Sequence, residues 1–562
     1  MTDGPITPLA QWLHETKYRA PGEPFRDYAN RVASALQDSD AHFHVLRDIL
    51  LEQRFLPAGR IQSAIGSNRA VTPYNCFVSG PIADSLTAGP GSIMQRASEA
   101  AETLRMGGGI GYDFSTLRPR GSLIVSLESQ SSGPVSFMAV YDAVCKTISS
   151  AGHRRGAQMG VLRVDHPDIE EFVHAKQNSH NLTAFNISVG VTDEFMLAVQ
   201  NNDEFSLRFN GVEHRRIDAR TLWEQIMRST WDWAEPGVLF LDAINRKNNL
   251  WYCEDITATN PCSEQPLPPY GACLLGSWNL VKYIDERAGV RYFNFAKLEA
   301  DIEPVVRAMD NVVDVARYPL PEQEAEAKSK RRMGLGVTGL ANAGEVLGFP
   351  YGSRKFLDFA EILLDSIANL TYQASSNLAA EKGVFPLYDR RKYAASPFVA
   401  ALLPCVRDLI ERQGIRNSHL LSIAPTGTIS LCADNVSSGI EPVFSLEYER
   451  IIQTFDGPQQ HTVKDYGWER FGVRGKLAAE CSADDHLNVL LCAQRHVDSA
   501  VSKTCNVNPN MPWKEFKDIY WKAWQGGAKG CTTFNPHGKR SGILQAGEAC
   551  YIDAETGAKL CD

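Results

Sequence analysis

The stretch TNPCSEQPLPPYGACLLGSWNL, residues 259–280, carries more chemistry than any other part of the chain. Pro261, Pro266, Pro268 and Pro269 disfavour a helix across its first half, because proline lacks a backbone N–H and restricts the residue before it. Asn260, Cys262 and Glu264 are therefore expected on extended chain. Residues two apart on such a chain face the same way, so an amide, a thiol and a carboxylate would converge on one spot. A second thiol, Cys273, follows eleven residues after Cys262. Taken alone, a run of this kind reads more readily as a Pro-rich surface loop with one small buried cysteine.

The rest of the chain sets bounds on that reading. A length of 562 residues allows one large enzyme body with small appendages, or roughly two to four modest domains. With 44% hydrophobic and 22% charged residues and no long biased tract, the composition is that of an ordinary globular chain, and disorder is not the default reading. A formal net charge of −9 argues against a broad basic grip on nucleic acid, so an anionic substrate would be held locally by backbone N–H groups or a few placed cations. The N-terminus lacks a basic start followed by an apolar run, and no stretch approaches the roughly 18 apolar residues of a membrane helix. A cytoplasmic protein with no membrane partner is expected. Its 13 cysteines should then be mostly reduced, and those that matter should be redox, radical or metal residues and not structural disulfides. No Cys-x-x-Cys pair occurs, so no metal site is expected.

Three regions follow from patterning. Tyr28, Val32 and Leu36, then Phe43, Leu46 and Ile49, carry helical spacing, which predicts a small N-terminal helical region over 1–54. From 55 to 535, strand-like runs such as Gly237–Leu241 and Leu420–Ile423 alternate with amphipathic stretches such as Ala360–Ala380. That alternation predicts an α/β body built on a mainly parallel sheet or barrel. Residues 536–562 are polar and Gly-rich and read as a flexible C-terminal tail bearing Cys550 and Cys561.

Two glycine motifs need separate treatment. In Ala424–Ser430, APTGTIS, Gly427 lets backbone approach a ligand, and Thr426, Thr428 and Ser430 add hydroxyls beside N–H groups at a helix start. A plain turn with an N-cap would look the same. Gly334–Gly339 satisfies G-x-G-x-x-G, yet the preceding EAKSKRR is too charged for the buried strand that a dinucleotide-binding turn must follow. No Walker A sequence is present.

Residues 259–280 resemble the active-site finger of ribonucleotide reductases, above all the adenosylcobalamin-dependent class. Further segments match in family order: FLPAGRIQS (55–63), NCFVSGPIADS (75–85), MGGGIGYDFS (106–115), GAQMGVLRVDHPDIEEF (156–172), RRMGLGVTGL (331–340), APTGTIS (424–430) and VDSAVSKT (497–504). The resemblance implies a ten-stranded α/β barrel with a central finger loop, acting on ribonucleoside di- or triphosphates. It assigns Cys262 as the thiyl radical that removes the 3′ hydrogen, Glu264 as base at the 3′ hydroxyl and Asn260 as the substrate-hydroxyl ligand. Cys76 and Cys273 become the pair that supplies two electrons and ends as a disulfide, re-reduced by a thioredoxin- or glutaredoxin-like dithiol through Cys550 and Cys561. Pro425, Thr426, Gly427, Thr428 and Ser430 are implied to bind substrate phosphates. Asp84, Arg154 and Arg155 are implied to read an allosteric deoxynucleotide, in a monomer or homodimer. Cys145, Cys253, Cys405, Cys432, Cys481, Cys492 and Cys505 are read as packing residues, and Cys531 stays unassigned.

Among the radical sources of this family, the class that imports its radical from a second subunit uses adjacent tyrosines, and the chain has no Tyr-Tyr; GCTTFNPHGKR near the end of the body offers Phe534 instead. No glycyl-radical motif stands near residue 562. Adenosylcobalamin is the expected cofactor, with a class I large subunit as the alternative. A nicotinamide-dependent oxidoreductase would rest on Gly334–Gly339. A non-enzymatic nucleotide sensor would be expected to have lost Cys262, Glu264 or the thiol pair. Only about 50 residues precede Phe55, so no regulatory ATP-binding cone is expected.

Overall fold

The apolar runs of the sequence become strands of one sheet in the computed structural model, which describes residues 3–148, 156–177, 181–454, 457–536, 538–539, 550–552 and 559–561. In chain order the strands are β1 (Phe55–Pro57), β2 (Cys76–Val78), β3 (Gly109–Asp113), β4 (Gln158–Arg163), β5 (Phe185–Val191), β6 (Gly237–Phe240), β7 (Ala272–Asn279), β8 (Met333–Thr338), β9 (Thr504–Asn506) and β10 (Gly530–Phe534). Strands β2 to β6 run parallel in sequence order. β10 joins β6 antiparallel and carries β9 parallel beside it. At the other end β7 meets β2 antiparallel and β8 parallel. All eight residues of β7 and all six of β8 are buried, as expected of parallel strands covered on both faces.

β1 and β2 follow one another along one edge of β7, because the carbonyls of Leu275 and Gly271 point to the same side and accept from Ala58 and Val78. β8 takes the opposite edge. The extended segment 419–423 lies beyond β8: Met333 N–H donates to His419 O and Leu335 N–H to Leu420 O. On its far side Ser499 N–H donates to Leu421 O and Ile423 N–H to Ala500 O. The architecture is thus a mixed α/β body around one large sheet, in which the ladder of named strands is open.

The N-terminal periodicity is realised as three helices, α1 (Pro8–Tyr18), α2 (Phe25–Leu36) and α3 (Asp40–Leu51). Thr7 and Ser39 cap the first and third by accepting from Ala10 and His42 N–H groups. Their apolar faces, including Tyr28, Val32, Leu46 and Ile49, join the same core as the strands. The amphipathic stretch 360–380 lies within a long helix, Arg354–Lys382. Among the described residues, no helix is long and apolar enough to cross a membrane.

Candidate active site

Residues 258–267 form a small hairpin, in which Ala258 pairs with Leu267 and Thr259 with Pro266. Its tip departs from the extended chain expected: Asn260 O accepts from Ser263 N–H at 3.1 Å, a β-turn with Pro261 at its second position. Proline pre-sets the backbone for that position, so the residue that excludes a helix also starts a turn. The turn, not strand alternation, brings the functional groups together. Ser263 has a positive φ of 65°, and Asn260 Oδ1 accepts from Gln265 N–H at 2.9 Å, which closes the tip on itself.

Glycines make room for this hairpin. A Cβ on Gly111 of β3 would stand 1.8 Å from the Thr259 carbonyl oxygen. On the other side, a Cβ on Gly334 would stand 2.1 Å from Gln265 Nε2. Gly334 and Gly336 therefore lie inside a strand, as part of β8, and not in the turn that a dinucleotide fingerprint requires. Gln265, which the sequence reading passed over, donates from Nε2 to Ser422 Oγ at 2.7 Å, and Asn186 Nδ2 donates to Pro261 O at 2.9 Å.

Beneath the tip, Cys76 of β2 stands directly opposite Cys273 of β7. Directly opposed residues of an antiparallel pair have Cα atoms about 4.5–5.5 Å apart, within the span a disulfide bridges. Asn260 Nδ2 donates to Cys76 Sγ at 3.1 Å, and the Cys76 thiol reaches Glu264 Oε1 at 3.8 Å. Burial pushes the Cys76 thiol well above its ordinary range, and the charges of Glu264, Cys273 and Cys262 add to the rise. Cys273 is also raised by burial; the charge of Arg332 acts to lower it, while those of Asp498, Glu264 and Glu326 act to raise it. Both sulfurs are accordingly protonated and protected from casual oxidation.

Cys262 faces away from full burial. It lines a cavity of about 270 Å3 together with Pro261 and Ser263, the β5 and β6 residues Ser188 and Gly237, and Thr532 of β10. Lys503 and Cys531 also border this space. Asn260, Cys76, Cys273 and Glu264 are thus one buried cluster, and Cys262 stands at the turn between that cluster and the cavity.

In Ala424–Ser430 a short helix starts at Gly427, so the N–H groups of its first turn face outward from that end. Thr426 sits in the left-handed region and turns its hydroxyl inward, accepting from Gly439 N–H at 2.7 Å. Ser430 Oγ donates to Thr426 O; of the five residues Thr426 and Ser430 are buried, Pro425 and Thr428 are half-buried and Gly427 is exposed. Asp84 accepts from Arg118 at Nε, 2.7 Å, a partner the sequence reading did not name. Arg154 and Arg155 lie outside the described residues. The backbone of the last segment places Cys550 opposite Cys561 in a short antiparallel ladder, although ten residues separate them. Of the cysteines read as packing residues, Cys253 and Cys405 are exposed; Cys145, Cys432, Cys492 and Cys505 are buried.

Residues 74–469 and 468–534 match the family described as "Ribonucleotide reductase, barrel domain". The chain is similar to the vitamin B12-dependent ribonucleoside-diphosphate reductase of Mycobacterium tuberculosis (strain CDC 1551 / Oshkosh), with 38% identity covering 84% of this chain and 69% of that protein. The protein of the same name from Thermoplasma acidophilum is 34% identical over 84% of this chain and 62% of its own length. A vitamin B12-dependent ribonucleotide reductase from Streptomyces clavuligerus is 27% identical over 94% and 63% respectively. The chain thus spans about two thirds of the length of these relatives. With the thiol pair, the finger and the matched barrel-domain sequence in one body, the chain belongs to the ribonucleotide reductase family.

Proposed function

We propose that the chain reduces ribonucleotides to 2′-deoxyribonucleotides, with adenosylcobalamin as its cofactor. The observation that carries this reading is the opposition of Cys76 and Cys273 beneath a tip bearing Asn260, Cys262 and Glu264. Relatives named vitamin B12-dependent support the cofactor, and the two named ribonucleoside-diphosphate reductases favour a diphosphate substrate. The cavity beside Cys262, about 270 Å3 with Ala234, Gly237 and Gly530 in its wall, has room for a nucleoside-sized group such as the adenosyl part of the cofactor, while the corrin is too large to enter it. Ser188 and Thr532 would hold the group there by hydrogen bonds. When bound, adenosylcobalamin supplies a radical able to take the hydrogen atom of a thiol.

On this reading Cys262 takes the 3′ hydrogen of the substrate, Glu264 accepts the 3′ hydroxyl proton and Asn260 holds the hydroxyls. Cys76 and Cys273 give two electrons and two protons as the 2′ hydroxyl leaves as water, and close as a disulfide. Phosphates would sit at Gly427 and Thr428, where helix N–H groups and a hydroxyl meet the solvent. Asp84, with Arg154 and Arg155, would contact a deoxynucleotide effector. Cys550 and Cys561 would pass electrons from a thioredoxin- or glutaredoxin-like dithiol, and their opposed backbone positions support a pair.

The sheet is read as a closed ten-stranded barrel around the finger. Segment 419–423 supports closure, since it bonds β8 on one side and 499–502, which leads into β9, on the other. The test is anaerobic conversion of a ribonucleoside diphosphate by the purified chain, with adenosylcobalamin and a dithiol and no second protein. Product only on addition of an iron or manganese subunit would overturn the cofactor reading.

A further inference from the structure

Arg332 has no role in the chemistry described so far, yet it is among the most deeply buried charges of the molecule, with a side chain 0% exposed. It precedes β8 by one residue. Since Leu274 pairs with Met333 at the start of the parallel ladder, Arg332 stands beside Cys273 one position earlier, on the same face of the sheet. Cys76 occupies the corresponding position on the opposite edge of β7. Cys76 of β2, Cys273 of β7 and Arg332, just before β8, therefore follow one another in a row.

The two ends of that row carry opposite charge. Glu264 stands 3.8 Å from Cys76, whereas Arg332 flanks Cys273. Arg332 Nη2 donates to both Glu254 oxygens at 2.8 and 2.9 Å, and Lys330 also pairs with Glu254 at 2.8 Å. Among the described residues, Arg332 Nε and Nη1 have no hydrogen-bond partner, an expensive state for a buried guanidinium. An acceptor that exists only during part of the reaction cycle accounts for both the burial and the open N–H groups. A thiolate on Cys273 is such an acceptor, and Arg332 already acts to lower the Cys273 thiol.

We propose that Arg332 gives the Cys76–Cys273 pair a direction: a reducing dithiol opens the disulfide by attack at Cys76, and Cys273 leaves as the thiolate held by Arg332. The inference rests on the preceding assignment of Cys76 and Cys273 as the redox pair. The attacking thiolate forms a bond to Cys76 Sγ, the Cys76–Cys273 bond breaks, and its electron pair goes to Cys273 Sγ. The second thiol of the dithiol then displaces Cys76. The dithiol loses two electrons and two protons, and the protein pair gains them. Exposure agrees with the direction, because Cys76 is 4% exposed on the side of the tip while Cys273 is 0% exposed.

The test uses the full chain after one anaerobic turnover. Peptide mapping first establishes whether a Cys76–Cys273 disulfide has formed; its absence would overturn the pair itself, and the proposal with it. Dithiothreitol is then added, the reaction is quenched in acid at early times, and free thiols are alkylated after denaturation. In the parent, mixed disulfide on Cys76 with free Cys273 should exceed the reverse arrangement by about tenfold, since the better-stabilised thiolate leaves faster. Arg332→Met should bring that ratio close to one, and Arg332→Lys, which keeps the charge, should preserve the bias. An unchanged ratio in folded Arg332→Met overturns the proposal. Should that variant fail to fold, Glu254→Gln, which removes the carboxylate hydrogen-bonded to Arg332, should raise the ratio above the parent value; no change or a fall overturns the proposal equally.

Discussion

Replacing Gly111 by alanine tests whether close packing of the finger hairpin against β3 sets the position of the reactive groups. The added methyl would lie 1.8 Å from Thr259 O and 2.9 Å from Thr259 C, both backbone atoms. Ordinary contact between carbon and oxygen needs a little over 3 Å, so hairpin or strand must retreat by about 1.4 Å, more than side-chain adjustment supplies. Overpacking of this kind costs about 1–3 kcal/mol, and the upper part of the range applies because the obstacle is backbone. Thr259 precedes Asn260, so the shift passes directly into the tip. A displacement of about 1 Å at a reacting centre costs on the order of a hundredfold in rate. Gly111→Ala should therefore lower the melting temperature by a few degrees and cut kcat by about a hundredfold. Calorimetry and steady-state deoxynucleotide assays read both quantities. A variant with parental melting and parental kcat would refute the view that glycine at this position clears the finger.

Cys262→Ser should abolish turnover while nucleotide binding, measured by equilibrium dialysis, and the thermal melt stay parental; retained product would remove Cys262 from its role. Cys550→Ser/Cys561→Ser, pre-reduced, should complete about one turnover and then stall with thioredoxin yet continue with dithiothreitol; equal multiple-turnover rates with thioredoxin would show that the tail pair is no shuttle. Burial pushes the Glu345 carboxyl up to about 7 from its usual 4.5. Because this acid is raised in the fold, its contribution is fully present below about pH 4.5 and is lost as pH rises through about 7, a span worth about 3 kcal/mol. Glu345→Gln should accordingly gain stability relative to the parent at pH 8 but not at pH 4.5, and parallel stability curves for the two proteins would contradict that assignment.

Local chemistry made part of this molecule legible. The β-rich runs around Gly237 and Leu420 and the spacing of Tyr28, Val32 and Leu36 depend on neighbours in sequence, and each reappears as extended chain or helix. The finger was located by its residues but not its shape. Pro261 excludes a helix in two ways, by extended chain or by a turn, and only the hydrogen bond from Ser263 to Asn260 O selects the second. What remained hidden is tertiary. The opposition of Cys76 and Cys273 joins distant segments, and no local pattern encodes a ladder register between them. Gly334 and Gly336 were correctly denied a dinucleotide turn, but their purpose depends on Ser422 and Gln265, which pack against them from elsewhere in the chain. Arg332 was visible only as part of a charged run, read as evidence against a strand; its burial follows from Glu254 and Cys273, which the run does not contain.

The hairpin's anchoring has a consequence for synthesis of the protein on the ribosome. Thr259 rests on β3, Gln265 on Ser422, and Glu264 O accepts from Ala500 N–H. A nascent chain that has emerged only to the finger already contains Cys76, Cys262 and Cys273, but none of the later segments that hold the tip in place. Contacts so distant in sequence form late, after their loop entropy has been overcome. The thiols and the tip thus reach their final arrangement only when nearly 500 residues are present, so the hairpin is among the last parts of the body to settle as the chain is made.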